Sequence, residues 1–173
     1  MMMLAFIVAF LLAPGATVPN FPSASPAAWM QPEAFRLSVG MARGDVVRIL
    51  TRDRHKIEPS KRPEEIIVEQ DNYRRVTLTF RGDRLRSLRF EMVATLVEVR
   101  ESFDVETRRL ERQFGKPRSP SPKKTLIYDR SSPNIIAVLT DDPSSALGKQ
   151  GFGMLVVRYF EPPPREAGAA DSD

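Results

Sequence analysis

The most concentrated chemistry in this sequence is a run of arginines with little acidic compensation. Between residues 74 and 89 the chain carries Asp83 as its one acidic residue and six arginines: Arg74, Arg75, Arg81, Arg84, Arg86 and Arg89. In an alternating strand pair, Arg75, Arg81 and Arg89 fall on the outer face, where guanidinium groups can bind carboxylates or phosphates. We therefore expect either a binding face for an acidic protein or polymer, or a solvated strand face.

Nucleic acid is not the expected ligand of this basic segment. Recognition of single-stranded nucleic acid needs aromatic rings interleaved with the cations, so that bases can stack on them. The nearby rings of Phe80 and Phe90 fall in the inward register of the strands. The net charge of +4 favours anionic partners in general without selecting one.

Catalytic chemistry has weak candidates. The adjacent acids Glu64-Glu65 and Asp141-Asp142 point to opposite faces of a strand, so neither pair is set for acid and base roles. An enzyme would need an acid such as Asp141 or Glu91 to share a concave pocket with a second polar group. We predict no catalytic residue from these patterns.

Metal, cofactor and disulfide chemistry are also not expected. The chain has no cysteine, which excludes disulfides and thiolate metal sites. Its one histidine, His55, lies in a charged loop and cannot form a zinc site by itself. We predict that it is a solvated loop residue, with no cofactor and no metal in the protein.

A glycine-rich loop provides a second binding candidate. Residues 141–153 contain three glycines, two apolar members, Leu147 and Phe152, and no phosphate-binding pattern, because no helix signal follows. A long hairpin tip with an exposed aromatic ring could insert into a groove of a partner. The alternative is a tolerated insertion without a role.

The elements that position these residues follow one order twice. Apolar spacing predicts a helix at Met41 to Leu50 and strands at Glu65 to Glu69, Arg74 to Arg81 and Leu85 to Val93. A second helix is expected from Val97 or Ser102 to Phe114, followed by strands at Thr125 to Tyr128, Ile135 to Thr140 and Met154 to Phe160. On the second helix, Phe103, Leu110 and Phe114 form the inward stripe. The predicted solvated face is Glu106, Arg108, Arg109, Glu111 and Arg112.

This order predicts the fold class. Neither helix can bury its apolar stripe alone, whereas a sheet offers an apolar face to receive it. We expect an α+β fold, in which an antiparallel sheet is packed on one face by two helices. Two tandem α-β-β-β units build it, and the other sheet face is left for solvent or a partner.

The ends of the chain predict export. Thirteen apolar residues precede Pro14-Gly15, and no charged residue occurs before Glu33. A helix of thirteen residues is about 20 Å long, too short for a stable membrane span, so a secretory signal is expected, with an uncleaved N-terminal anchor or a mis-assigned start codon as the alternatives. The predicted organisation is a signal peptide at 1–16, a Pro-rich linker at 17–34, one domain at 35–161 with repeats of about 37–94 and 95–161, and a disordered tail at 162–173.

Two segments resemble a known repeat family. The stretch VGMARGDVVRIL, with FRGDRLRSLRF after it, resembles the helix opening and strand-turn-strand of the SmpA/OmlA (BamE-like) repeat. LERQFGKP resembles the helix end shared with the β-lactamase-inhibitor-protein-like fold, in which such units occur in tandem. The resemblance covers Leu37 to Glu161, although the first helix lacks the Gly-x-Pro exit. It implies a protein-binding domain of the bacterial envelope without catalysis.

Together these patterns predict a periplasmic or secreted, non-catalytic protein-binding or envelope-assembly domain. The expected partner is another envelope protein or an anionic envelope component, and the candidate binding residues are Arg75, Arg81, Arg89, Leu147 and Phe152. A small periplasmic hydrolase and an inhibitor that plugs the cleft of an enzyme are the alternatives.

Overall fold

The computed structural model describes residues 29–121, 124–128 and 133–161. The predicted signal peptide, the linker up to residue 28 and the predicted tail lie outside these residues. The helices are α1 (Arg43–Arg52) and α2 (Leu96–Phe114), with short 3-10 helices at Pro32–Phe35 and Gly148–Gln150. The strands are β1 (Lys56–Glu58), β2 (Glu65–Asp71), β3 (Arg74–Arg81), β4 (Arg84–Thr95), β5 (Arg118–Ser121), β6 (Thr125–Tyr128), β7 (Asn134–Thr140) and β8 (Phe152–Phe160).

The described strands form one antiparallel sheet in the order β1-β2-β3-β4-β8-β7-β6-β5. The α+β prediction is confirmed: an antiparallel sheet carries both helices on one face. Each helix is followed by four strands, one more than the spacing predicted, because β1 and β5 are short pieces at the two sheet edges. The two halves meet where β4 pairs with β8 along nine residues of each strand.

In the first half of the sheet, buried and half-buried side chains alternate, which shows which face packs against the core. In β3, Val76, Leu78 and Phe80 are buried, whereas the residues between them are half-buried. The buried residues join those of β4, β7, β8 and both helices in one core cluster. In this article the face that carries the helices is the covered face, and the opposite face is the open face.

Helix α2 begins earlier than the sequence pattern indicated, and its first turn shows why. Thr95 accepts a hydrogen bond from the Glu98 backbone N–H while the Glu98 carboxylate accepts from the Thr95 backbone, which is a complete capping box. The helix ends at Gly115, whose φ of 81° suits a residue without Cβ. The buried stripe of α2 lies against β4, β7 and β8.

The chain ahead of α1 contributes to the core. Met30 and Phe35 are buried, and Trp29 packs edge-on to Phe90 with 5.9 Å between ring centroids. Pro-rich composition predicted a linker through residue 34, but from Trp29 onward large apolar side chains are placed over the sheet. We call Trp29–Leu37 the strap.

Among the described residues, no helix has the length and apolar character needed to cross a membrane.

Candidate functional site

The arginines that are close in sequence are dispersed in the structure. Arg74 pairs with Asp71 and lies over the Trp29 ring, with 5.7 Å from its Cζ to the ring centroid. Arg84 donates to the carbonyl oxygen of Gly40, and Arg86 forms an ion pair with Glu161. Three of the six arginines therefore serve local packing and turns.

The other three arginines lie on the open face, as the alternation predicted. Arg75 has Glu69 and Glu91 as its register partners on the two neighbouring strands. Arg89 is ion-paired with Glu91 at 2.9 Å. Arg81 is exposed at the end of β3, next to the turn. Carboxylates thus already balance much of the positive charge of Arg75 and Arg89.

Leu147 and Phe152 lie at the opposite end of the sheet from Arg81. Phe152 begins β8 and pairs with Thr95 at the far end of β4, whereas Arg81 pairs with Arg84 at the near end. Eleven residue steps of strand separate the two ends, roughly 35 Å at about 3.3 Å per residue. Both Leu147 and Phe152 are half-buried, so the structure does not join the five candidate residues into one site.

The loop that precedes Phe152 is compactly built. The backbone N–H of Ser144 donates to the Asp142 carboxylate, and the Ser145 hydroxyl donates to the Asp142 carbonyl. Gly148 packs so closely that a Cβ would lie 2.0 Å from the Asp142 carbonyl oxygen. Local hydrogen bonds and close backbone packing therefore hold this loop together.

Asp141 anchors the base of that loop. It is 8% exposed, and its carboxylate lies 2.9 Å from Lys124 Nζ and 2.7 Å from Arg100 Nε. The hydrogen bonds from Lys124 and then from Arg100 lower the pKa of Asp141 below its usual value. An acid held ionised between two cations is a structural anchor rather than a proton donor.

The open face of the second half is largely apolar, although the sequence prediction centred on the arginines. Register pairs place five apolar side chains of β6, β7 and β8 on that face, in rows that also hold Thr125, Thr140 and Arg158. All five are half-buried, and none belongs to the core cluster on the covered face. We call these five residues the aliphatic patch: Ile127, Ile136, Val138, Met154 and Val156.

A sequence signal for the patch exists. In β3 the outward positions are Arg75, Thr77 and Thr79, so apolar and polar residues alternate. In β7, NIIAVLT, and in the LVV run of β8, apolar residues occupy consecutive positions on both faces. Strands that are buried on both faces show such continuous runs, whereas strands with one solvated face alternate.

One cation lies inside this apolar half. Arg158 is an exposed residue of β8 between Arg89 and Ile136 in register, and its Cζ is 5.2 Å from the Phe160 ring centroid. Within the described residues it has no carboxylate partner. The patch therefore lies beside one positive charge that has no carboxylate partner among the described residues.

The covered face holds a charged cluster where a solvated helix face was predicted. Glu106 is 0% exposed and accepts two hydrogen bonds from Arg109, one of them 2.9 Å long. Arg109 also donates to the Tyr159 hydroxyl, which donates to the Met30 carbonyl at 3.2 Å. The prediction for Glu106 and Arg109 was wrong, because Glu106 lies between Phe103 and Leu110 on the buried stripe.

Arg109 and Tyr159 of the cluster keep fixed protonation states. Burial by itself would lower the pKa of Arg109. The hydrogen bond to Glu106 and the negative charge of Glu106 outweigh burial, so the pKa of Arg109 is raised. Burial and then the negative charge of Glu106 raise the pKa of Tyr159 well above its usual value, so its hydroxyl stays protonated. Beside the cluster is a small cleft of about 150 Å³, lined in part by Glu33, Leu37 and Phe114.

The remaining candidate, His55, is not a freely solvated loop residue. Its ring stacks on Phe35 with 4.9 Å between centroids, and Nδ1 lies 3.3 Å from Gln70 Nε2. In the part of the chain that the structure describes, no three His, Asp or Glu side chains are grouped to hold a metal ion.

The described fold and surface define a class: an α+β domain whose antiparallel sheet has one helix-covered face and one open, partly aliphatic face. Comparison with protein families, characterised proteins and solved structures finds no match to the chain.

Proposed function

We propose that this chain is an exported, non-catalytic protein-binding domain that binds another envelope protein through the aliphatic patch. The observation that carries the proposal is the pairing of β7 and β8, which have apolar residues on both faces, while both helices pack against one face only. Such composition is typical of strands covered on both sides in the working assembly.

The edge strands of the sheet are poor sites for binding a partner, so the face of the sheet is the better candidate. Strand addition needs a long unpaired edge strand. At one edge β1 has three residues, two of them charged, and at the other β5 contains Pro120 and follows Pro117. Short, charged or proline-containing edges resist pairing with another chain.

The charged residues near the aliphatic patch indicate which kind of partner it would bind. Arg158 lacks a counter-ion among the described residues and lies within the apolar half. A protein surface with aliphatic side chains and a carboxylate opposite Arg158 complements it. An anionic polymer would need a series of unpaired cations, whereas Arg89 and Arg75 lie beside carboxylates. The envelope location rests on the N-terminal apolar segment and on the resemblance to the SmpA/OmlA repeat.

The hydrolase alternative finds less support. The pKa of Asp141 is lowered by its two cationic neighbours, and Glu91 is ion-paired with Arg89, so neither acid has the arrangement that a general acid needs. The inhibitor alternative keeps one favourable observation, the compact loop before Phe152, which would enter a cleft with little loss of entropy.

The test compares matched charges on the two halves of the open face. A photo-cross-linking residue at position 156 captures the partner from envelope extract, and its affinity for the purified domain is then measured. Val156→Glu is expected to weaken binding at least about tenfold, because a carboxylate must be desolvated against the partner. Thr77→Glu, which is also half-buried on the open face, is expected to leave affinity unchanged.

Thermal unfolding of each variant checks that the domain is intact. Equal affinity of the V156E variant and the wild type would exclude the patch. Loss of binding only in a variant with Arg75, Arg81 and Arg89 changed to Ser would move the site to the arginines instead.

A further inference from the structure

We propose that the cleft beside the charged cluster is a binding site for an ammonium group carried on a short aliphatic stem. The cleft lies where the strap, the C-terminal end of α2 and β8 meet. Because the aliphatic patch lies on the open face, this site is separate from the proposed protein-binding surface and stands or falls independently of it.

The lining of the cleft combines apolar and polar side chains. Sites for small ligands are mostly apolar, with a few polar groups that orient the ligand. Half of the ten lining residues fit the first role, and these five come from the strap, the segment after it, α2 and the start of β7. They are Pro32, Leu37, Val39, Phe114 and Pro133.

The charges around the cleft favour a cation. Arg109 is the one basic residue of the lining, and its charge is compensated by Glu106, which is fully buried behind it. Glu33 adds a negative charge that no such pair compensates. The basic residue of the strap, Arg36, lies near Asp53 and is not part of the lining. One net negative charge therefore remains at the cleft.

The hydrogen-bonding groups lead to the same ligand. All three nitrogens of the Arg109 guanidinium already donate to Glu106, Tyr159 or Gln113, which leaves little capacity for an anion. The Glu33 carboxylate has no hydrogen-bond or ion-pair partner among the described residues. An ammonium group has three donors and no acceptor, so it complements a free carboxylate.

The Glu33 carboxylate acts across the cleft. Burial and then the charge of Glu106 are the main causes of the raised pKa of Tyr159, and the negative charge of Glu33 adds to them. Tyr159 and Glu33 therefore lie close enough for Glu33 to influence a group within the lining.

The volume of the cleft suits one short side chain. It is about 150 Å³, and a protein cavity of that volume accepts a benzene molecule. A butylammonium group, the end of a lysine side chain, is of similar size. Its methylene groups can leave water against Pro32 and Leu37 while the ammonium group binds Glu33.

The test compares three probes of similar size and different charge: n-butylammonium, n-butanol and butyrate, at constant ionic strength. Amide NMR resonances of the domain are followed during each titration. We expect butylammonium to shift the Leu37 backbone amide and the Gln113 side-chain amide, with a dissociation constant in the millimolar range because so small a ligand makes few contacts. Butanol and butyrate are expected to bind at least about fivefold more weakly.

A matched pair of variants locates the charge that matters. Glu33→Gln keeps the shape of the side chain and is expected to weaken butylammonium binding about fivefold. Glu101→Gln, which is exposed on α2 three turns before Gln113, is expected to leave it unchanged. Both positions are exposed, and thermal unfolding checks that both variants are as stable as the wild type.

Three results would overturn the proposal: equal binding of butanol and butylammonium, an affinity that Glu33→Gln does not change, or shifts confined to residues outside the lining. Two blocked amino acids then distinguish the source of the ammonium group. If Nα-acetyl-lysine amide binds at least as tightly as butylammonium, and the norleucine analogue about fivefold more weakly, the ligand is a lysine side chain of a protein. Weaker binding of the lysine derivative than of butylammonium assigns the cleft to a free amine.

Discussion

A fully buried carboxylate on α2 is the residue with the largest expected effect on stability. Glu106 is bonded to Arg109, and Arg109 connects α2 to Tyr159 of β8 and, through it, to the strap. A buried ion pair is a modest source of stability as a whole, but removing one partner leaves the other charge buried without compensation.

Glu106→Ala is therefore expected to lower the free energy of unfolding by about 3–5 kcal/mol. Urea denaturation followed by circular dichroism measures it. Glu111→Ala, on the exposed side of the same helix, is the control and should change stability by less than about 0.5 kcal/mol. If the two variants lose equal stability, the cluster has no special role.

A double replacement separates the charge from the packing. Glu106→Leu with Arg109→Met removes both charges and keeps apolar volume, so it should recover most of the loss. A double variant as unstable as the single one would show that the hydrogen bonds themselves, including the one to Tyr159, hold the helix on the sheet.

At this scale the sequence was a partial guide. The outward positions of Arg75 and Arg89 follow from strict alternation in β3 and β4. The charge of Glu106 predicts a position in solvent, whereas its spacing from Phe103 and Leu110 puts it on the buried stripe. The partners of Arg74 and Arg86 lie across turns and strands, which no local pattern specifies.

Two glycines provide a test at the scale of elements. Gly148 in the loop before β8 has backbone atoms of Asp142 and Pro143 where a Cβ would lie, whereas Gly44 near the start of α1 faces open space. Gly148→Ala is expected to cost about 1–3 kcal/mol through overpacking. Gly44→Ala should add up to about 1 kcal/mol, because alanine loses less entropy in a helix.

Thermal unfolding of the two variants measures both effects, with opposite signs. A Gly148→Ala variant as stable as the wild type would mean that the loop shifts without cost. In that case the loop is not a compact, preorganised feature, and the inhibitor alternative loses the observation that favours it.

The sequence predicts the strands correctly where a single hydrophobic periodicity dominates, and it fails for the strands at the edges of the sheet. The bounds of β3 and β6 agree with the predicted strands. The mostly charged residues of β1 predict a loop, and the proline of β5 argues against a strand, so the sequence pattern indicates neither edge strand. Both pair with one neighbour only, so their conformation depends on the finished sheet rather than on their own sequence.

At the scale of the whole molecule, the strap decides whether the described chain is one cooperative unit. Met30 and Phe35 are buried in the same cluster as the sheet and helices. The Tyr159 hydroxyl bonds to Met30 of the strap and to Arg109 of α2. The strap and α2 are therefore connected to each other over the covered face. Within residues 29–161 as described, neither helix lies over the open face, and this asymmetry is the basis of the proposed binding surface.

The single tryptophan reports on the strap directly. Trp29 contacts Phe90, so its fluorescence follows release of the strap, while far-ultraviolet circular dichroism follows the sheet and helices. If the domain unfolds as one unit, the two urea transitions coincide. Tyr159→Phe is expected to lower stability by about 1–2 kcal/mol, because it removes the hydroxyl that bonds Met30 and Arg109, and to move both transitions together. A fluorescence transition at lower urea than the dichroism transition would show that the strap detaches before the core unfolds.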